Sequence, residues 1–356
     1  MPIDIGILWI TKDSVDCVDD QRLLSFFIHH RFLPNRVKTK LNKMNQTQVI
    51  MFEFSGLTQD PALAIFLFVF FLLVYVITVV GNVGLFIIVH KTSALHTPMY
   101  YFLSYLSIVD LLYSSTVTPK MIADLSSVRK VISFTGCAIQ YFFFSTFAAT
   151  EVLLLSTMSY DRYAAVCKPL HYVSIMTKKK CVLLGLFAFS FGILPCSVQT
   201  CCIFSLHYCG PNLGNHFFCD VPSVLKLSCS NTFTCEIINF LCIGSYSIGS
   251  LVTILVSYIY ILVAILQINS TKGRQKAFSN CSSHIICVSI FYVSVFLTYL
   301  HPPSEGFEKQ DRVAAIFYSI MTPMLNPFIY SLRNQEVKTA IVNILIWAMH
   351  CLQGLG

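Results

Sequence analysis

"LAIFLFVFFLLVYVITVVGNVGLFIIV", residues 63–89, contains no charged side chain. A helix needs about 20 mostly apolar residues to cross the hydrocarbon core of a bilayer, and this run exceeds that. Composition agrees: 55% of the chain is hydrophobic and 12% charged, where a soluble domain carries about 25% charged residues. Further apolar stretches lie near 99–121, 135–160, 181–204, 237–266, 278–300 and 313–332. Strands of a membrane barrel alternate over about 10 residues, so they do not produce unbroken runs of this length. The expectation is an all-α membrane protein, a seven-transmembrane helix bundle over residues 62–333. Beyond it, Val337, Ala340, Ile341, Ile344, Leu345 and Ala348 recur at helical spacing. That predicts a short amphipathic helix in a cytoplasmic segment, 334–356, lying on membrane lipid.

Lysine and arginine in the connections set the orientation. Lys91, Arg162, Lys168, Lys178, Lys179, Lys180, Lys272, Arg274, Lys276, Arg333 and Lys338 fall on one side. Only Lys120, Arg129, Lys130, Lys226, Lys309 and Arg312 fall on the other. The richer side is cytoplasmic, which puts the start of the bundle outside. Residues 1–43 oppose this, because their basic residues, among them Arg36, Lys38, Lys40 and Lys43, disfavour export. The segment 44–61 begins with Met44 and carries the glycosylation acceptor Asn45-Gln46-Thr47. We therefore expect 44–61 to be the extracellular N-terminus and 1–43 to be an atypical extension outside the fold, the alternative being a genuine tail.

Fifteen cysteines would be unusual in a cytosolic enzyme, but topology sorts them. Cys137 precedes the third span, and Cys209, Cys219, Cys229 and Cys235 lie in or beside the long outer loop 206–235. That loop meets an oxidising compartment, although spacing alone gives no connectivity. Cys201, Cys202 and Cys242, inside spans, are expected to be apolar packing residues. Asp110 in the second span and Glu151 in the third each cost about 2.5–3.5 kcal/mol at a helix centre, so both should face the bundle interior. Asn82 and Asn326 are their expected partners. The cluster suits a sodium ion or a proton, and a purely structural hydrogen-bonded network explains it equally well. Pro323 and Pro327 should interrupt the backbone bonding of the seventh span.

These features together resemble the odorant receptors, specifically their tetrapod-type (class II) branch of the rhodopsin-like G-protein-coupled receptors. The resemblance rests on "LHTPMYYFLSYLSIVDLLYSS" (95–115), "PKM" (119–121), "FTGCAIQYFFF" (134–144) and "MSYDRYAAVCKPLHY" (158–172). It continues through "HFFCDVPSVLKLSCS" (216–230), "KAFSNCSSH" (276–284), "FY" (291–292) and "PMLNPFIYSLRN" (323–334). It implies disulfides Cys137–Cys219 and Cys209–Cys229. It also implies an activation switch of Asp161, Arg162, Tyr163, Tyr258, Asn326, Pro327 and Tyr330, in which Asp161 restrains Arg162 at rest. The partners implied are a small volatile odorant and a heterotrimeric G protein of the stimulatory or olfactory class, raising cyclic AMP. The implied location is the plasma membrane of olfactory cilia. Ser159, Tyr105 and Asn280 depart from the family's usual Ala, Asn and Thr.

Outward of Glu151, Phe144, Ser145, Ala148 and Ala149 share a helical face. Tyr292, Val295, Phe296 and Tyr299 do likewise on the sixth span, with Cys242 and Tyr246 opposite on the fifth. They predict a small, mostly apolar ligand cavity. With no acid on these stripes, an amine ligand is disfavoured. No cofactor, nucleic-acid partner or enzymatic activity is expected: no nucleophile or metal motif accompanies the carboxylates. A transporter would show internal repeats, which are not seen. The nearest alternative is a non-olfactory rhodopsin-like receptor for a small apolar ligand.

Overall fold

Each apolar run becomes one long helix, extended at its ends by polar caps. In the computed structural model the described residues are 51–209, 213–299, 308–333 and 337–339. All lie within one compact unit, Val49–Gly356. The helices are α1 (Pro61–Lys91), α2 (Pro98–Leu125), α3 (Phe134–Cys167), α4 (Lys178–Phe204), α5 (Phe233–Leu266) and α6 (Thr271–Tyr299). The seventh, α7, runs through Glu308–Ile316, Phe317–Met321 and Thr322–Arg333. Residues 1–43, Asn45 and nearly all of 334–356 lie outside the described residues, as does the side chain of Tyr299.

Caps place the helix starts. The Asp60 carboxylate accepts from the Ala62 and Leu63 amides at 2.9 and 3.4 Å, with Pro61 opening α1. Such caps contribute about 1 kcal/mol each. Ser133 and Thr177 do the same for α3 and α4.

Burial runs opposite to that of a water-soluble helix. Helix α1 exposes Ile65 (69%), Phe66 (64%) and Val80 (66%) while burying Thr78 and Asn82. Apolar side chains outward and polar ones inward is the arrangement lipid demands. Among the described residues six helices are long and apolar enough to span a bilayer. Helix α2 is not among them, since it carries Ser104, Ser107, Asp110, Ser114, Thr118 and Asp124, all buried. Its polar side chains face neighbours, so composition understates how well it fits the bundle.

Two features break the all-helical expectation. Strand β1 (Met51–Phe54) pairs antiparallel with β2 (Val131–Ser133), with Met51 opposite Ser133, and parallel with β3 (Leu213–Gly214). This small outer sheet stitches the N-terminal segment to both outer loops. The irregular turn of α7 is a π-helical stretch at Phe317–Met321, upstream of both prolines. Pro323 has no N–H to close the preceding turn, and just before it Phe317 O accepts both the Thr322 amide and, at 3.0 Å, the Thr322 hydroxyl. Thr322–Arg333 then remains helical through Pro327.

Candidate functional site

Helix α3 passes three polar regions in sequence, from the outer cavity to the cytoplasmic end. The outermost is a cavity of about 70 Å³, small beside the roughly 300–1,000 Å³ of drug-sized pockets. Helix α3 lines it with Tyr141, Phe144, Ser145, Ala148 and Val152, and α5 with Ile243, Tyr246 and Ser247. Phe291 and Val295 of α6, Tyr113 of α2, Tyr318 of α7 and Gln199 of α4 complete the wall. The roof is Asp220 and Val221, at the start of a short outer-loop helix (Val221–Leu225) capped by the Asp220 carboxylate.

Of the sequence-predicted ligand set, Phe144, Ser145, Ala148, Tyr246 and Val295 line this cavity. Ala149, Cys242, Tyr292 and Phe296 do not. On α6 the inward face is Phe291 and Val295, one position round from the predicted stripe. Tyr292 turns instead to α5, sharing a hydrogen bond with Ser250, and Phe296 packs on its ring at 5.7 Å. Two residues escaped sequence reasoning for different reasons. Gln199 follows the buried face Gly185–Gly192–Cys196 at helical spacing, a periodicity that would have revealed it. Asp220 brings an acid to the cavity from the outer loop, outside the helical stripes, which carry none. It adjoins Cys219, whose disulfide to Cys137 pins the loop over α3.

The roof has further ties. Gln140 donates to Thr116 O of α2 at 3.1 Å and accepts from the Cys219 amide at 3.0 Å. Cys209 is joined to Cys229 within the loop. A third disulfide, Cys202–Cys235, corrects the assignment of Cys202 as a packing residue: it joins the outer ends of α4 and α5. His216 is buried beneath the N-terminal segment, against Phe217 and Phe218. Burial, and then nearby Arg312, pull its pKa down to about 3, so its ring is neutral.

At mid-depth Asn326 donates to Asp110 Oδ2 at 2.9 Å. Both Glu151 carboxylate oxygens, Asp110 Oδ1 and Asn326 Oδ1 are buried without a hydrogen-bond partner. Asn82 departs from its expected role: its amide donates to Thr78 O and Pro323 O, each at 3.0 Å, tying α1 to α7. Gly81 faces Pro327 at the same contact, where a Cβ would make ordinary van der Waals contact at 3.4 Å. No group of three or more His, Cys, Asp or Glu able to hold a metal occurs among the described residues.

The cytoplasmic end holds Arg162, with its guanidinium 3.7 Å from Asp161 Oδ2. Tyr172, in the loop after α3, donates to Asp161 Oδ1 at 2.8 Å. Burial and the adjacent carboxylate raise the phenol's pKa, so it stays a donor. Tyr163 packs on Tyr260 of α5 at 5.8 Å, and buried Tyr330 stands beside Cys287. His284 of α6 bridges three helices: one ring nitrogen is 2.9 Å from Leu155 O of α3, the other 2.7 Å from the Tyr258 hydroxyl of α5.

A family model described as "Olfactory receptor" matches residues 71–347. Olfactory receptor 5AR1 of Mus musculus is 48% identical over 305 residues, covering 86% of this chain and 98% of that one. Olfactory receptor 5B12 of Homo sapiens is 48% identical over 296 residues, covering 83% and 94%. The fold is similar to that of squid rhodopsin, with a TM-score of 0.64 at 17% identity over 82% of this chain and 88% of that one.

Proposed function

Because this chain belongs to the olfactory receptor family, and is a seven-helix receptor of the plasma membrane rather than an enzyme, we propose that its outer cavity binds a small odorant and that binding releases Arg162 toward a stimulatory or olfactory G protein, raising cyclic AMP. One observation carries the reading: a single helix, α3, lines the cavity at one end and holds Arg162, paired with buried Asp161, at the other. A ligand shifts such an equilibrium only through its differential affinity for the two states. Contacts on Phe291 and Val295 bear on α6, and α6 carries His284, whose bridge to Leu155 and Tyr258 holds the cytoplasmic ends together. Movement of α6 breaks that bridge and opens the crevice bordered by Lys272 and Arg274. The N-terminus faces outward, Asn45 carries the glycan, and olfactory cilia are the site of action.

The mid-depth cluster fits a monovalent cation or a proton. Its orphaned groups are all hard oxygen donors, and an uncompensated charge pair in a low-dielectric interior is unfavourable. A sodium ion there would offset one of the two carboxylate charges, with a proton on the other, and favour the resting packing of α2, α3 and α7.

The test expresses the full chain in cells with a cyclic-AMP reporter and a panel of volatile odorants. Dose-dependent signals that Arg162→Ala abolishes are expected. A surface-expressed receptor silent to the panel, with basal signal unmoved by Arg162→Ala, overturns the reading.

A further inference from the structure

Beside the hydroxyls of Tyr141 and Tyr246, the outer end of the cavity carries one acceptor without a partner, the Gln199 amide oxygen. Gln199 is 1% exposed, and its amide nitrogen is committed to Asn239 of α5, reaching the backbone oxygen at 3.5 Å and the side-chain oxygen at 3.4 Å. Its carbonyl oxygen Oε1 is buried and has no hydrogen-bond partner. Asp220, 3% exposed, roofs the same end. Among the described residues no Lys, Arg or His lines the cavity, while the inner end is closed by Val152, Phe291 and Val295. A buried acceptor left unpaired is costly, so a ligand that pairs it is strongly favoured over an isostere that cannot.

Building on the odorant-binding reading of this site, we propose that the cavity selects compact apolar molecules whose polar end donates a hydrogen bond, namely alcohols, phenols and amines. It discriminates against aldehydes, ethers and carboxylic acids of the same skeleton. Gln199 Oε1 accepts from the ligand O–H or N–H. The geometry is firm because α4 and α5 are joined just outward of Gln199 by Cys202–Cys235, and because Gln140 holds the loop at Cys219, next to Asp220.

The experiment uses the full-length receptor and matched series with four to nine carbons: primary alcohol, amine, aldehyde, methyl ether and carboxylic acid on one skeleton, with phenol and anisole as an aromatic pair. Alcohols or amines are expected to be at least tenfold more potent than the matched aldehyde or ether. Gln199→Leu removes the acceptor while the disulfide still joins α4 to α5, and the alcohol-over-ether ratio should fall to near one. Agonists that lack a donor and outrank their donor-bearing partners overturn the inference while leaving the receptor reading intact. So does a donor preference that Gln199→Leu does not move at normal surface expression. Silence of every compound, with basal signal also insensitive to Arg162→Ala, removes both.

Discussion

His216 shows what one side chain does when placed where nothing answers it. Both ring nitrogens are buried without partners, between aromatic rings and within the field of Arg312. An unfolded histidine titrates near 6.5, and the folded one near 3. The lowered value means the fold binds the neutral ring. Stability is therefore present above about pH 6.5 and lost progressively as pH falls toward 3. Between pH 7 and pH 5 the receptor should lose about 2 kcal/mol from this group alone. Thermal unfolding of detergent-solubilised receptor at the two pH values measures it, and His216→Gln should flatten the difference. An equal acid-induced drop in the variant would assign the sensitivity elsewhere. Arg312 contributes beyond its charge: its guanidinium donates to Gly56 O at 3.1 Å. Gly56, at φ 69°, occupies the left-handed region that favours glycine.

Among elements, the contact of α3 with α4 depends on the absence of a side chain. A Cβ on Gly192 would run into Thr150 Oγ1 and stand 3.0 Å from the Thr146 carbonyl. In lipid, helix association relies on close backbone approach through small residues rather than on hydrophobic burial. Gly192→Val should lower stability by about 1–3 kcal/mol through overpacking. Gly84, whose Cβ would meet nothing within 4 Å, supplies the control. Comparable losses for Gly84→Val and Gly192→Val in thermal unfolding would refute the interface argument. Helix α4 also accommodates Tyr105: its ring lies 2.8 Å from where a Gly185 Cβ would be. A larger residue at 105 is thus matched by none at 185.

For the whole molecule, the three regions along α3 form one coupled system, and coupling between two binding sites is reciprocal. The His284 bridge holds α3, α5 and α6 together without touching the cavity. His284→Ala should raise agonist-free cyclic AMP about two- to fivefold and shift agonist dose–response curves to lower concentration. An unchanged basal signal at matched surface expression would place the restraint elsewhere. The seven helices and the inward-facing Asp110 and Glu151 were legible in the linear chain, because lipid enforces length and apolarity segment by segment. The motif around Asp161-Arg162-Tyr163 likewise identified the family from short fixed spacings. Other features depend on partners distant in sequence: the strand at Met51–Phe54, the Cys202–Cys235 tie, the one-position rotation of the α6 face and the acid over the cavity. The sequence by itself determined which segments suit the membrane, since transfer into hydrocarbon is a local free energy. Only the tertiary structure decided what the cavity presents to a ligand. Gln199 and Asp220 meet there because disulfides, an amide clamp and helix rotation bring together residues that no local pattern relates.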